Sequence, residues 1–351
     1  MRALLFGLST IFSTAALAAT WLSSLQKDLS TLDAKTGGNL GVAIRVIGDS
    51  TSLSLSGNRP WYLASTTKIP IAIALLQAVD RGEIRLEERI KVEQKHFVDG
   101  GGRLIKEKPG QDHSLDDLMS RMLRESDSTA TDLLLMRVGE AKLNEVMKKI
   151  GNGQFGPITS ILQVRYDAYG ELHPNAAKLE NTDFIDLKSF PAGDARFKAF
   201  AQKIGVPVES LRRRSLEDAF EAYYARGKNS ATLDGFTALL ESLHEGKLLS
   251  PTSTKKLLAL LRASETGDKR IKSGLPANVA FAQKTGTQQA RVCNVGIVEP
   301  TPRGKLPFAI AACVEKFDDQ EEAENTLAEV GKLIAKSPLL SGAPSQSLSN
   351  P

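Results

Sequence analysis

The sequence predicts an α+β fold, an α/β/α sandwich in which both chain ends build one antiparallel sheet and an all-helical region is inserted between them. Three observations carry this. Strand-like alternation is confined to residues 40–46 and 51–56 near the start and to 279–284, 291–298 and 307–314 near the end. Apolar residues at helical spacing dominate the chain between them, and strands segregated from helices mark α+β architecture. The chain has 351 residues, 41% of them apolar, enough to bury a sizeable core in one large domain or two.

The elements follow in order. Residues 21–35 place Leu22, Leu25, Leu29 and Leu32 on one helical face and stop at Gly37-Gly38. The first two strands flank a Gly48-Asp49 turn. Residues 65–78 are apolar nearly all round, the pattern of a buried helix, with Pro70 in its early turns where proline is tolerated. Helices are expected at 115–123, 131–138 and 141–150, the last stopped by Gly151. Residues 152–183 have little periodicity and several Gly, Pro and Asn, and read as a long loop of the kind that usually serves function. Helices are expected again at 194–204, 208–226, 232–244, 251–263 and 321–336. The domain plan is thus 19–64 and 229–336 for the two parts of the α/β domain, 65–228 for the helical domain with its long loop and a helical insertion, and 337–351 for a Ser/Pro/Gly-rich disordered tail.

The N-terminus stands apart. Arg2, an apolar run and Ala16-Leu17-Ala18 read as an export signal over 1–18, with an uncleaved anchor as the alternative. A periplasmic destination is expected. No later apolar run is long enough to span a membrane. A formal charge of +4 with no basic stripe argues against nucleic-acid binding. The four histidines are scattered without zinc spacing, so neither a metal nor a cofactor is expected. Cys293 and Cys313 fall on two strands that read as a hairpin. An exported chain permits a bridge there, and two buried thiols are the alternative.

Three stretches carry chemistry. In Ser65-Thr66-Thr67-Lys68, serine and lysine share a helical face, and a lysine desolvated in a cleft loses charge and can take the serine's proton. Ser126-Asp127-Ser128 sits between two helices, where a bare helix cap is the plain alternative. Lys284-Thr285-Gly286-Thr287 ends a strand. It offers a charge, hydroxyls and a glycine that admits close backbone approach to a carboxylate ligand; an ordinary edge strand is the alternative. Gly100-Gly101-Gly102 lacks the lysine of a phosphate loop and reads as a flexible loop beside the cleft.

Each stretch alone is weak, but their order resembles the penicillin-recognising serine hydrolases: class A β-lactamases and penicillin-binding proteins. The resemblance runs from about Trp21 to Lys336 and includes Ala64 to Pro70, Ser126 to Leu134 and the Leu275-Pro276 approach to Lys284. It implies that Ser65 is acylated, Lys68 helps deprotonate it, and Ser126 hands a proton to the leaving nitrogen. Lys284, Thr285, Gly286 and Thr287 would hold the substrate, with Ser65 and Thr287 supplying oxyanion-hole N–H groups.

Two departures accompany the resemblance. Ser128 stands where the family usually has asparagine, leaving a shorter side chain to reach Lys68 or the substrate. The deacylating loop acid is ambiguous over residues 164–173. Anchoring on Arg165 points to Asp167; anchoring on Glu171-Leu172 points to Tyr169, with His173 in the place of an asparagine. Glu171 is an independent candidate, and Arg165 pairing with an acid to hold the loop is the plain alternative. The chain between Ser126 and Lys284 is also longer than in compact class A enzymes, with the surplus near 185–228, where Arg212-Arg213-Arg214 reads as part of a solvated helix.

The resemblance implies a serine β-lactamase that opens and hydrolyses the lactam amide through a Ser65 acyl-enzyme. The alternatives are a D-Ala-D-Ala-directed peptidase with slow deacylation and a degenerate binder of wall fragments. The partner is a small β-lactam or a peptidoglycan peptide.

Overall fold

The structure, a computed structural model, describes the backbone of residues 9–300 and 305–341, and side chains from Trp21 onward within those ranges. The proposed export signal, 1–18, therefore lies outside the residues whose side chains are described, and 342–351 of the proposed tail lie outside altogether. Among the described residues no helix is long and apolar enough to cross a membrane.

Helix α1 (Ser9–Asp33) leads into β1 (Asn39–Val46) and β2 (Ser52–Leu55). A short strand, β3 (Pro60–Tyr62), runs into a 3-10 turn at Ala64–Thr67 and then α2 (Lys68–Asp80). The two-stranded ribbon β4 (Arg89–Val92) and β5 (Gln111–Ser114) precedes α3 (Leu115–Arg124), α4 (Ser128–Val138) and α5 (Glu140–Ile150). Next come α6 (Ile161–Gly170), α7 (Asn181–Ser189), α8 (Asp194–Lys203) and α9 (Leu216–Tyr224). Strand β6 (Ser230–Thr232) returns to pair with β3, followed by α10 (Leu233–His244), α11 (Pro251–Arg262) and the short α12 (Ile271–Gly274). Strands β7 (Ala280–Gln288), β8 (Arg291–Glu299) and β9 (Phe308–Glu315) complete the sheet before α13 (Gln320–Lys336) and α14 (Pro338–Ser341).

The main sheet has the order β2-β1-β9-β8-β7, all antiparallel, so β9 from the C-terminal part pairs with β1 from the N-terminal part. Both faces of the sheet are covered. Along β9, Phe308, Ile310, Ala312 and Val314 join the core under the terminal helices, with Leu25 and Leu29 of α1 and Leu327, Val330 and Ile334 of α13. The intervening Ala309, Ala311 and Cys313 join the second core, with α2, α3, α4, α10 and α11. This period-two division is the strand pleat, and it makes the three-layer α+β arrangement expected from sequence. Cys293 and Cys313 lie opposite each other on β8 and β9 and are disulfide-bonded, which closes the alternative of two free thiols.

Four readings need correction. Residues 152–183 are not one loop: they contain α6, a 3-10 turn at Pro174–Lys178 and the start of α7. Helix α6 is held by tertiary partners. Ser160 caps it on the Gln163 N–H (3.0 Å), and Val164, Ala168 and Tyr169 pack into an aromatic-rich third core with Phe184, Phe200 and Tyr223. Residues 65–78 split into a 3-10 turn and α2. Residues 208–226 split as well, into a 3-10 turn at Val208–Ser210 and α9, whose N-cap is Ser215. The basic run is therefore not on a helix; Arg213 pairs with Glu171 and Arg214 with Asp218. Finally, the tail begins with the helical turn α14.

The join between sheet and helical layer depends on one glycine. A Cβ on Gly41 would stand 2.2 Å from the Trp61 ring, which is buried beneath β1. Gly41→Val should therefore destabilise the protein by about 1–3 kcal/mol, read as a lower urea midpoint at unchanged m-value.

Candidate active site

The crevice forms where β7, the open edge of the sheet, meets the turn carrying Ser65. Leu63 is anchored through its N–H to Asn229 O (2.8 Å), and Ala64 then takes a left-handed φ of 47° that starts the 3-10 turn. Thr66 and Thr67 bend their hydroxyls back to Leu63 O (2.8 Å) and Ala64 O (2.9 Å). Ser65 is left half-buried at the mouth, and Lys68, the first residue of α2, is fully buried below it.

The three motifs meet at Ser126. The Lys68 ammonium donates to Ser126 O (2.6 Å) and Ser126 Oγ (3.1 Å), and the Lys284 ammonium donates to the same Oγ (2.9 Å) and to Thr285 O (3.0 Å). Ser126 holds a φ of 60°, a conformation that costs a non-glycine residue about 1–3 kcal/mol. Burial drives the Lys68 pKa down to about 7, against the opposing pull of Asp127 and Asp132. Burial, then repulsion from Lys68 and Arg270, drives Lys284 well below the ordinary lysine range. A neutral amine, the form that can accept a proton, is thereby populated near neutral pH. In this structure no hydrogen bond joins Lys68 to Ser65; Ser126 stands between the two lysines.

The second motif is also a brace. Asp127 caps α4 on the Ala130 N–H (2.9 Å) and accepts the Leu104 N–H (2.8 Å). Ser128 exchanges two hydrogen bonds with Gly101, its N–H to Gly101 O (2.9 Å) and Gly101 N–H to its Oγ (3.2 Å). Its hydroxyl thus pins the loop rather than reaching Lys68, although Ser128 does line the crevice. The same contact explains the glycine run: a Cβ on Gly100 would fall 2.2 Å from Ser128 Oγ.

On β7, side chains alternate. Lys284 and Gly286 face the Ser65 turn, and a Gly286 Cβ would sit 2.4 Å from Leu63 O. Thr285 and Thr287 face the other way. The Thr285 hydroxyl bonds that of Thr266 (2.7 Å), and the Thr287 hydroxyl accepts from Arg270 (2.7 Å). The buried Arg270 also donates to Gly286 O and Cys293 O (both 2.9 Å) and pairs with Glu324 (2.8 Å). Arg270 escaped the sequence reading because it lies outside any motif, in a short turn before β7.

Asp132 escaped it too. Its carboxylate accepts the N–H groups of Ile161 (2.7 Å) and Leu162 (2.9 Å) at the start of α6, and burial raises its pKa to about 6. That contact sets Ile161, Val164 and Arg165 into the crevice wall.

The two loop acids are not brought to Ser65. Asp167 pairs with Lys228 (2.7 Å) and accepts from Gln163 (3.0 Å), while Glu171 pairs with Arg213 (2.7 Å) and Arg226. Burial pushes the Glu171 pKa up, but the two arginines outweigh it and hold the carboxyl below its ordinary value. Neither acid lines the crevice. Tyr169 packs in the aromatic core, and His173 caps the following turn by accepting the Asn175 N–H. Arg165 does hold the loop, but its partner is Asp99 (2.6 Å), both side chains more than nine-tenths buried. Arg165→Met strands the Asp99 charge and should cost about 3–5 kcal/mol in equilibrium unfolding, with Asp99→Asn in the same background restoring part of the loss.

The chain matches the model of the beta-lactamase enzyme family over residues 24–182 and 184–337. It is 23% identical over 304 residues to Beta-lactamase VEB-1 of Pseudomonas aeruginosa, covering 84% of this chain and 83% of that one. Among solved structures it resembles a β-lactamase from Xanthomonas campestris (TM-score 0.68, 21% identity, 90% of this chain and 97% of that chain). It also resembles PBP-A (TM-score 0.66, 20% identity, 89% of this chain and 94% of that chain). Lysines from two distant motifs converging on one serine, on a fold shared with those structures and under a family match spanning nearly the whole described chain, place this protein in the β-lactamase enzyme family.

Proposed function

We propose that this protein is a serine hydrolase that opens the β-lactam amide through an acyl-enzyme on Ser65. The observation that carries the proposal is the convergence of Lys68 and Lys284 on Ser126 Oγ beside Ser65. Neutral Lys68 takes the Ser65 proton, directly or through Ser126. Ser65 Oγ attacks the lactam carbonyl, and the oxyanion is met by backbone N–H groups of Ser65 and Thr287. Collapse breaks the C–N bond, and the proton moves from Lys68 through Ser126 to the leaving nitrogen. Lys284, Thr285 and Thr287, backed by Arg270, hold the substrate carboxylate. Water then hydrolyses the ester and frees Ser65. The N-terminal export pattern supports a periplasmic site of action, where such substrates arrive.

A second reading has its own support: acylation as above with slow release, as in a D-Ala-D-Ala-directed peptidase. The outward pairing of the two loop acids favours it, because neither Asp167 nor Glu171 is placed to activate the deacylating water. Under the first reading a chromogenic cephalosporin is turned over many times per enzyme; under the second it gives one stoichiometric burst.

Both readings predict a penicilloyl adduct on Ser65 by mass spectrometry and its loss in Ser65→Ala, with any turnover falling at least about 10³-fold. Detection of the adduct on another residue would sink both. The acylation rate should fall about tenfold per pH unit below a midpoint near 7, because protonating Lys68 removes the base. Asp167→Asn and Glu171→Gln should leave release of the acyl group unchanged within about twofold, since both acids are committed to cations outside the crevice.

A further inference from the structure

The insertion, which the acylation chemistry leaves without a role, builds a second chamber. Phe184 and Lys188 of α7, Arg196 of α8 and Phe220 of α9 supply much of its wall. Gly100, Gly101, Arg165, Thr287 and Gln288 line both this chamber and the Ser65 crevice, so the two are continuous past the end of β7. On the other side of Ser65 lie Thr285 and Arg270, two of the groups assigned to the substrate carboxylate. A substrate held there by its carboxylate and attacked at Ser65 must direct its acyl side chain along Gln288 toward the chamber.

The charges in the chamber are unbalanced. Arg165 is neutralised by Asp99. Lys188 has an exposed side chain with no acid partner, and its charged neighbours are Arg165, Arg196 and Asp99. Arg196 donates to main-chain oxygens, those of Phe190 (2.8 Å) and Lys188 (3.4 Å), rather than to a carboxylate. The cluster thus holds three cations against one anion. The chamber's other acid, Asp318, is exposed. Tyr169, Phe184 and Phe220, almost wholly buried, back the chamber with aromatic rings.

We propose that Lys188 and Arg196 make this chamber selective for acyl groups ending in a carboxylate. The inference takes the substrate orientation from the proposed Ser65 chemistry, but its test does not need that chemistry. Calorimetry of the full chain carrying Ser65→Ala compares benzylpenicillin with carbenicillin, which adds one carboxylate on the acyl side chain. Carbenicillin should bind about tenfold more tightly, as two partly exposed cations can supply, and the difference should shrink with added salt. Adding Lys188→Met and Arg196→Gln should bring the two affinities level, with circular dichroism confirming that the substituted chain stays folded.

Equal affinities before those substitutions, a preference that survives them, or no binding of either compound up to its solubility limit would each overturn the proposal. Failure of the acylation reading shows separately, as the lack of a Ser65 adduct on the unsubstituted chain.

Discussion

Two lysine amines buried against one serine hydroxyl set the terms for the rest of this molecule. Water is excluded from Lys68 and Lys284, and each donates to Ser126 Oγ. Two full positive charges at such separation and burial are costly, so the site favours one neutral amine, the reagent that serine acylation needs. The surroundings raise that cost and then hold it. Ala64 and Ser126 keep left-handed backbone on either side of the crevice, and Gly286 lets β7 close onto the Ser65 turn. Strain of this kind persists only where packing over-determines it. Here the β3–β6 pairing, the Asp127 cap and the disulfide-linked β8–β9 pair supply the packing.

The sheet's construction from both chain ends serves the same purpose. Ser65 and Lys68 follow directly from the N-terminal strands, and Lys284 to Thr287 lie on the C-terminal edge strand, so closing the sheet brings the two motifs together. The helical insertion contributes the third wall. Asp99–Arg165 and the Asp132 contacts to α6 tie the glycine loop, α4 and α6 into one unit. The cleft is therefore bounded by rigid elements with polar links that are either internally satisfied or ionically paired.

Much of this was legible in the residues. The strands at both ends followed from period-two alternation, and the motifs followed from their order and chemistry. Residues 152–183 defeated the pattern because α6 depends on distant partners, namely Asp132 at its first N–H groups and an aromatic core drawn from α7 to α9. The ribbon of β4 and β5 and the pairing of β3 with β6 involve three or four residues each, too few for alternation to register. Asp167 and Glu171 stood out as acids at suitable chain positions. Their real partners, Lys228, Arg213 and Arg226, lie some forty to sixty residues further on, and no local pattern reveals that pairing. Arg270 has the opposite history: an unremarkable basic residue in sequence, it becomes central because a turn folds it under β7.

The two half-reactions of the proposed chemistry place different demands on the crevice. Acylation needs a neutral amine, a proton carrier and a held carboxylate, the roles proposed for Lys68, Ser126 and the β7 edge. Deacylation needs a water held on the ester and a base that faces it. Ile161 and Val164 occupy the α6 wall, and the acids on that helix and just beyond it turn outward to cations. Those two apolar side chains neither order a water nor accept its proton. In the proposed chemistry Lys68 would be regenerated as a neutral amine once its proton has passed to the leaving nitrogen, and would be available as that base. Under that reading release, like acylation, would depend on the charge state of that one lysine.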